Sequence, residues 1–139
     1  MIALNRIIKI FLTSFLFILL VACNTTTTNK TYLDVDYDDF SGQFIETPEE
    51  QLNMPQDDYY IYYYGPYCGG CNYIKAELLD TLYRAKNTTI YLVTVTSISD
   101  ISESSGVNGT PTIIRVTNNE VSEFYEGADS ILSMLDQIT

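Results

Sequence analysis

The apolar positions of the chain fall into runs of different period, and the period changes where Gly, Pro or Asn interrupts. Residues 10–22 form an apolar run broken only by Thr13 and Ser14. From 24 to about 38 there is no apolar period, and Asp34, Asp36, Asp38 and Asp39 follow one another closely. Thr47-Pro48-Glu49-Glu50 has the form of a helix start: Thr as N-cap, Pro at the first helical position, Glu50 closing a capping box. Pro55 keeps that helix short. Residues 59–64, Tyr-Tyr-Ile-Tyr-Tyr-Tyr, have no polar face, which suits a central strand covered on both sides. Gly65-Pro66 ends it.

Ile74, Leu78, Leu82 and Ala85 then recur on one face of a helix reaching about Lys86. Residues 90–95 are a β-branched strand, 97–104 a weak helical turn at best, and 112–116 a further strand. Asn118-Asn119 is a hairpin turn leading to a strand over 121–126. Gly127 breaks the chain, and a last helix buries Ile131, Leu132, Leu135 and Ile138. Strand, helix and strand followed by an antiparallel hairpin predict an α/β fold: a mixed sheet, a parallel core plus a C-terminal hairpin, with helices on both faces. The pattern gives one domain over 40–139, and no internal repeat.

Composition narrows the class. The formal charge is −11, from 7 basic and 18 acidic residues, so nucleic acid is not an expected partner. Tyr contributes 12 side chains against 6 Phe and no Trp, ample apolar material for one core.

The N-terminal run is too short for a spanning helix, which needs ~20 apolar residues. With Arg6 and Lys9 before it, it has the form of an export signal. Its end, Leu20-Val21-Ala22-Cys23, resembles the lipobox of bacterial lipoproteins. That resemblance implies cleavage before Cys23, lipidation of its thiol, and residues 1–22 as a signal peptide. Residues 23–39 would then be the lipidated Cys and a flexible acidic tether. Loss of Arg6 and Lys9 with the signal takes the charge from −11 to −13. Asp34-x-Asp36-x-Asp38 matches the opening of an EF-hand loop. Asp39 stands where its Gly belongs and Ile45 where its Glu belongs, so a solvated linker is the better reading.

Of the three cysteines, Cys68 and Cys71 remain, at C-x-x-C spacing. A bridge across two intervening residues closes almost no loop and adds little as a staple, so the spacing argues for chemistry. The rival reading, half a zinc site, lacks further ligands: the chain has no His. No metal or cofactor is expected. The pair sits where a strand feeds a helix, so backbone N–H groups and the helix dipole favour a thiolate at Cys68, the first of the two. Cys68 is therefore the expected nucleophile and Cys71 the resolving thiol.

The stretch Tyr62-Tyr63-Tyr64-Gly65-Pro66-Tyr67-Cys68-Gly69-Gly70-Cys71 resembles the active-site strand and motif of the thioredoxin family. About forty residues on, Gly106-Val107-Asn108-Gly109-Thr110-Pro111-Thr112 resembles that family's cis-proline segment, and the hairpin, Gly127 and the last helix follow in its order. The resemblance implies catalytic Cys68 and Cys71, a cis Pro111 packed beside them, and Thr110 pairing with an extended substrate chain, with Tyr67 beside the pair also expected to meet substrate. The chain departs from the family at Tyr62, where thioredoxin has a buried Asp, and at Gly69-Gly70 and Tyr67, where Gly-Pro and Trp are usual.

The expected function is a lipid-anchored thiol–disulfide oxidoreductase on the extracytoplasmic side of the cell membrane. Its partners would be exported protein thiols and disulfides, a membrane redox partner that recycles it, and the membrane itself through the lipid on Cys23. The alternative is a non-catalytic surface protein that keeps the fold to hold peptides. A reductant specialised for cytochrome maturation or methionine repair finds no support, because only Asn87-Thr88-Thr89 separates the first long helix from the next strand.

Overall fold

The computed structural model describes residues 34–138, and the export signal and Cys23 lie outside them. Four strands, β1 (Asp58–Tyr64), β2 (Ile90–Thr94), β3 (Thr112–Thr117) and β4 (Glu120–Glu126), form one sheet in the order β2-β1-β3-β4. β1 runs parallel to β2 and antiparallel to β3, and β3 pairs antiparallel with β4. The parallel pair needs a crossover, supplied by helix α1 (Gly69–Arg84); helix α2 (Ala128–Ile138) closes the chain. This is the expected mixed sheet, a parallel pair extended by an antiparallel hairpin.

Strand period sorts the core into two layers. Tyr60 and Tyr62 of β1 point to one face, where Ile74, Leu78 and Leu82 of α1 meet Ile131, Met134 and Leu135 of α2. Tyr59, Ile61 and Tyr63 point to the other, against Tyr91, Val93, Ile114 and Val116. Short 3-10 helices and their linking segments line this second face: Pro48–Glu50, Ile98–Asp100 and Glu103–Ser105. Leu132 and Ile138 are only partly buried, and Met134 takes the deep position between them.

Two local readings are corrected. The capping box at Thr47 does not form: Thr47 makes no side-chain cap bond, and the helix is a single 3-10 turn. Gln51, which would begin its next turn, is committed elsewhere. It is 1% exposed; its Oε1 accepts from Tyr63 Oη at 3.0 Å and Ser102 N at 2.8 Å. Its Nε2 donates to Asp100 O at 2.7 Å, and its own carbonyl accepts from Tyr59 Oη at 3.0 Å. The second correction concerns the acidic segment assigned to the tether. Asp36 caps a 3-10 helix over Tyr37–Gln43 in a reciprocal box with Asp39, and Tyr37 is buried beside Tyr62 and Tyr64. Lys75 of α1 holds this segment down, 2.8 Å from Asp36 Oδ1 and 5.1 Å from the Tyr37 ring centre. Immediately after it, Phe44 bridges Leu92 and partly covers the outer edge of β2.

The hairpin turn forms as expected, with Asn118 at φ 52° and Asn119 at φ 65°, the left-handed pair of a tight hairpin turn. Gly127, at φ 81°, makes the corner between β4 and α2.

Two measurements test this packing. Gln51→Leu leaves the Tyr63 hydroxyl, the Ser102 amide and the Asp100 carbonyl without their partner. It should lower stability by about 2–4 kcal/mol in urea unfolding; a loss within error of zero would refute the hub. Burial pushes the Tyr37 hydroxyl up to about 12 and raises Tyr62 and Tyr63 further. The fold thus stabilises the neutral phenols, a contribution fully present below pH 10 and lost as pH rises through the folded-state values. Stability should fall above pH 10, the slope approaching about 4 kcal/mol per pH unit for three such groups. A flat profile between pH 10 and 12 would contradict their burial.

Candidate functional site

β1 delivers the site. Its last residue, Tyr64, accepts from Val95 N at 2.7 Å, and the chain then turns at Gly65-Pro66, closed by Cys68 N donating to Gly65 O at 3.3 Å. A side chain at Gly65 would be crowded: a Cβ would stand 3.0 Å from the Val95 carbonyl oxygen, 3.6 Å from Thr110 Oγ1 and 3.9 Å from Cys68 Cβ. The strand end, the cysteine and the loop before β3 therefore converge on one point.

Cys68 is the N-cap of α1, in an extended conformation (φ −84°, ψ 107°). Its Sγ accepts from Cys71 N at 3.0 Å, satisfying one of the amides that every helix start leaves open. Cys68 and Cys71 are joined in a disulfide with Cα atoms 5.2 Å apart. The two sulfurs differ in access: Cys71 is 3% exposed, whereas Cys68 is only partly covered. An incoming sulfur can therefore approach Cys68 and not Cys71. The amide bonded to Cys68 Sγ and the positive end of a 16-residue helix both favour negative charge on that sulfur once the bridge opens.

The second wall is the loop before β3. The Thr110–Pro111 peptide bond is cis and Pro111 is buried. A Cβ on Gly70 would meet Pro111 Cδ at 3.0 Å and Cγ at 3.3 Å, so the first turn of α1 rests on the proline ring. Pro111 O accepts from Gly127 N at 3.0 Å, and Thr112 Oγ1 donates to Gly109 O at 2.9 Å, which together fix the loop to the α2 corner and to itself. The amide and carbonyl of Thr110 make no backbone hydrogen bond among the described residues, leaving an edge for an extended chain.

The structure thus brings together Cys68, Cys71, Thr110 and Pro111. Tyr67 stands beside them 99% exposed, and Cys23 lies outside the described residues. Gly70 escaped the sequence reading, though the Gly-Gly pair was its signal: only one of the two glycines has open space around it. Tyr62, at the position of thioredoxin's buried acid, lies in the core with its hydroxyl pushed far above the ordinary tyrosine range by burial. It stays protonated and cannot act as a base at neutral pH.

A redox-type disulfide capping a helix beside a cis-proline, on a four-stranded mixed sheet, defines a dithiol–disulfide exchange architecture. The thioredoxin family model matches residues 45–139, and the chain belongs to the thioredoxin family. Among solved structures it is similar to mitochondrial thioredoxin 3 from Saccharomyces cerevisiae in its oxidised form. Identity is 18% and the TM-score 0.58, over 69% of this chain and 92% of that one. It is also similar to the thioredoxin of Trypanosoma brucei brucei, at 19% identity and TM-score 0.54, over 79% and 95% of the two chains. For oxidised thioredoxin from Plasmodium falciparum the figures are 14% and 0.57, over 68% and 95%. No curated protein matches the chain. Family and disulfide together support thiol–disulfide oxidoreductase chemistry.

The two glycines between the cysteines give a direct test. Gly69→Ala places its methyl in open space and gains helix propensity, so stability should hold or rise slightly. Gly70→Ala drives a methyl into Pro111 and should cost about 1–3 kcal/mol in denaturant unfolding, with slower exchange toward a small disulfide. Equal behaviour of the two variants would mean that α1 does not rest on Pro111.

Proposed function

We propose that the chain is a lipid-anchored extracytoplasmic thiol–disulfide oxidoreductase, with Cys68 as nucleophile and Cys71 as resolving thiol. The observation that carries the reading is the unequal access of the two sulfurs in a bridge that caps α1. In the reducing direction the Cys68 thiolate attacks a substrate disulfide; one S–S bond forms as another breaks, and one substrate sulfur leaves as thiolate. The Cys71 thiolate then attacks Cys68 Sγ, releasing the second substrate thiolate and forming the Cys68–Cys71 bridge. Two electrons pass from the chain to its substrate, and the reverse sequence oxidises a substrate dithiol. Thr110 would pair with the backbone of the substrate, and Tyr67 would lie against it.

Tyr62 supplies no carboxylate to take the proton of Cys71, so deprotonation of that buried thiol falls to solvent reaching it through the opened bridge. The lipobox resemblance at Cys23 supports attachment to the outer face of the membrane, with exported proteins as substrates and a membrane redox protein as the recycling partner.

Cysteine variants test the assignment of roles. Cys71→Ser should accumulate mixed disulfides with substrate proteins, and Cys68→Ser should accumulate none, on non-reducing gels after acid trapping. Trapping by Cys68→Ser alone would reverse the roles, and trapping by neither would favour a peptide-holding protein. Equilibration of the wild-type pair with thiol buffers sets the direction. A potential near about −270 mV marks a reductant and one near about −120 mV an oxidant.

A further inference from the structure

Two grooves adjoin beside the Thr110 edge, on the sheet face away from the two α-helices. The smaller, about 230 Å³, runs from Thr110 past Val95 to Ile98 and Ile101. The larger, about 690 Å³, shares Ile98, Ile101 and Asn108 with it and continues to Pro48 and Val107. Ile101 and Val107 are buried and form the floor, whereas Ile98 stands 69% exposed on the rim, an unusual place for a large aliphatic side chain. Glu49 and Glu103 line the larger groove, and neither carboxylate has an ion pair among the described residues.

The distribution of positive charge gives these two carboxylates their meaning. The described residues hold four basic side chains, Lys75, Arg84, Lys86 and Arg115. Lys75 is held by Asp36, Arg84 by Asp80, and Arg115 by Asp58 and Glu123. Lys86 follows the far end of α1, roughly 24 Å along the helix from Cys68 at 1.5 Å per residue. Arg115, on β3, pairs with Asp58 at the start of β1, the opposite end of that strand from the site. The larger groove, which reaches Thr110 through the smaller one, thus carries two carboxylates with no compensating cation among the described residues.

We propose that this groove receives an extended segment of the substrate protein bearing an apolar side chain and a lysine or arginine close to its reactive cysteine. The inference rests on the exchange chemistry proposed above. The segment would pair at Thr110, lay its apolar side chain against Ile98 and place its cation between Glu49 and Glu103. Complementary charge at a partly exposed site acts mainly on encounter rate and partner choice.

The test uses the full chain, reduced and held in detergent micelles, with two fluorescent disulfide peptides identical at their cysteines. One carries an Ile and two Lys beside the cysteine, the other an Ile and two Glu. The Lys peptide should be reduced about tenfold faster at about 20 mM salt, and the preference should largely vanish near 0.5 M. Glu49→Lys with Glu103→Lys should abolish or invert the preference. Asp57→Lys with Glu120→Lys, at the far end of the molecule, should leave most of it. Ile98→Ser should slow both Ile peptides and spare a version with Ser in place of Ile. Bis(2-hydroxyethyl) disulfide, too small to reach the groove, should be reduced at the wild-type rate by all these variants, which shows that they fold. Equal, salt-independent reduction of both peptides overturns the groove and leaves the dithiol chemistry standing. A preference lost equally in the near and far charge reversals also overturns it. Failure to reduce any of the disulfides overturns the exchange reading itself, and the groove with it.

Discussion

β1 is buried on both faces, and four of its five buried side chains are tyrosines. Each ring brings about 150–250 Å² of surface into the core, on the order of 4–6 kcal/mol of apolar burial. Each also brings a hydroxyl that costs about 1–3 kcal/mol if left without a partner away from water. On one face the answer is Gln51, which takes the Tyr59 and Tyr63 hydroxyls and uses its remaining bonds on Asp100 and Ser102. Satisfying the tyrosines thereby pins the segment between β2 and β3 onto the sheet. That segment leads directly into Thr110 and Pro111, so a polar requirement of the core becomes the positioning of one wall of the site.

The opposite face leaves that cost standing: the Tyr37 and Tyr62 hydroxyls are buried there without a hydrogen-bond partner, and the rings are held by one another instead. Tyr62 and Tyr64 stack nearly parallel, 5.5 Å between ring centres, and Tyr37 covers both. Tyr37 arrives from the acidic segment before β1, kept in place by the Asp36–Lys75 pair. Lys75 lies one turn beyond Cys71 on α1, so the helix that carries the cysteines also holds the chain coming from the N-terminus.

Much of this was legible in the sequence because period and punctuation agree. The apolar strand at 59–64, the face of Ile74, Leu78 and Leu82, the Asn-Asn turn and Gly127 are each local signals with a local cause, and each fell where its period placed it. The pairing of Cys68 with Pro111 was legible only through two motifs read together, since nothing local announces a cis bond. What escaped had causes distant in sequence. Thr47 and Glu50 form a good capping box in isolation, but Gln51 is worth more to Tyr63 and Ser102, 12 and 51 residues away, than as the next turn of a helix. Tyr37 lies among aspartates that suggest a solvated linker, and only the empty space over Tyr62 and Tyr64 gives it somewhere to go. Gly69 and Gly70 are indistinguishable until Pro111 is placed against one of them.

The replacement of a buried acid by Tyr62 follows from the same economy. A carboxylate at the centre of β1 would be expensive among the rings of Tyr37, Tyr60 and Tyr64. A phenol at that position keeps the core apolar and remains neutral, at the cost of a proton acceptor near Cys71. Room for solvent lies on the Gly69 side of the helix turn, where a Cβ would meet nothing, and not on the Gly70 side, which rests on Pro111. Charge has instead been moved to the surface. Three of the four described cations, Lys75, Arg84 and Arg115, are committed to ion pairs, so most of the acidic side chains face solvent without a cation among the described residues. Cys68 is the accessible sulfur of the bridge, so an incoming group meets first what surrounds it. That surrounding is the exposed ring of Tyr67 and the unpaired backbone edge of Thr110, from which a groove runs past Val95 to Ile98.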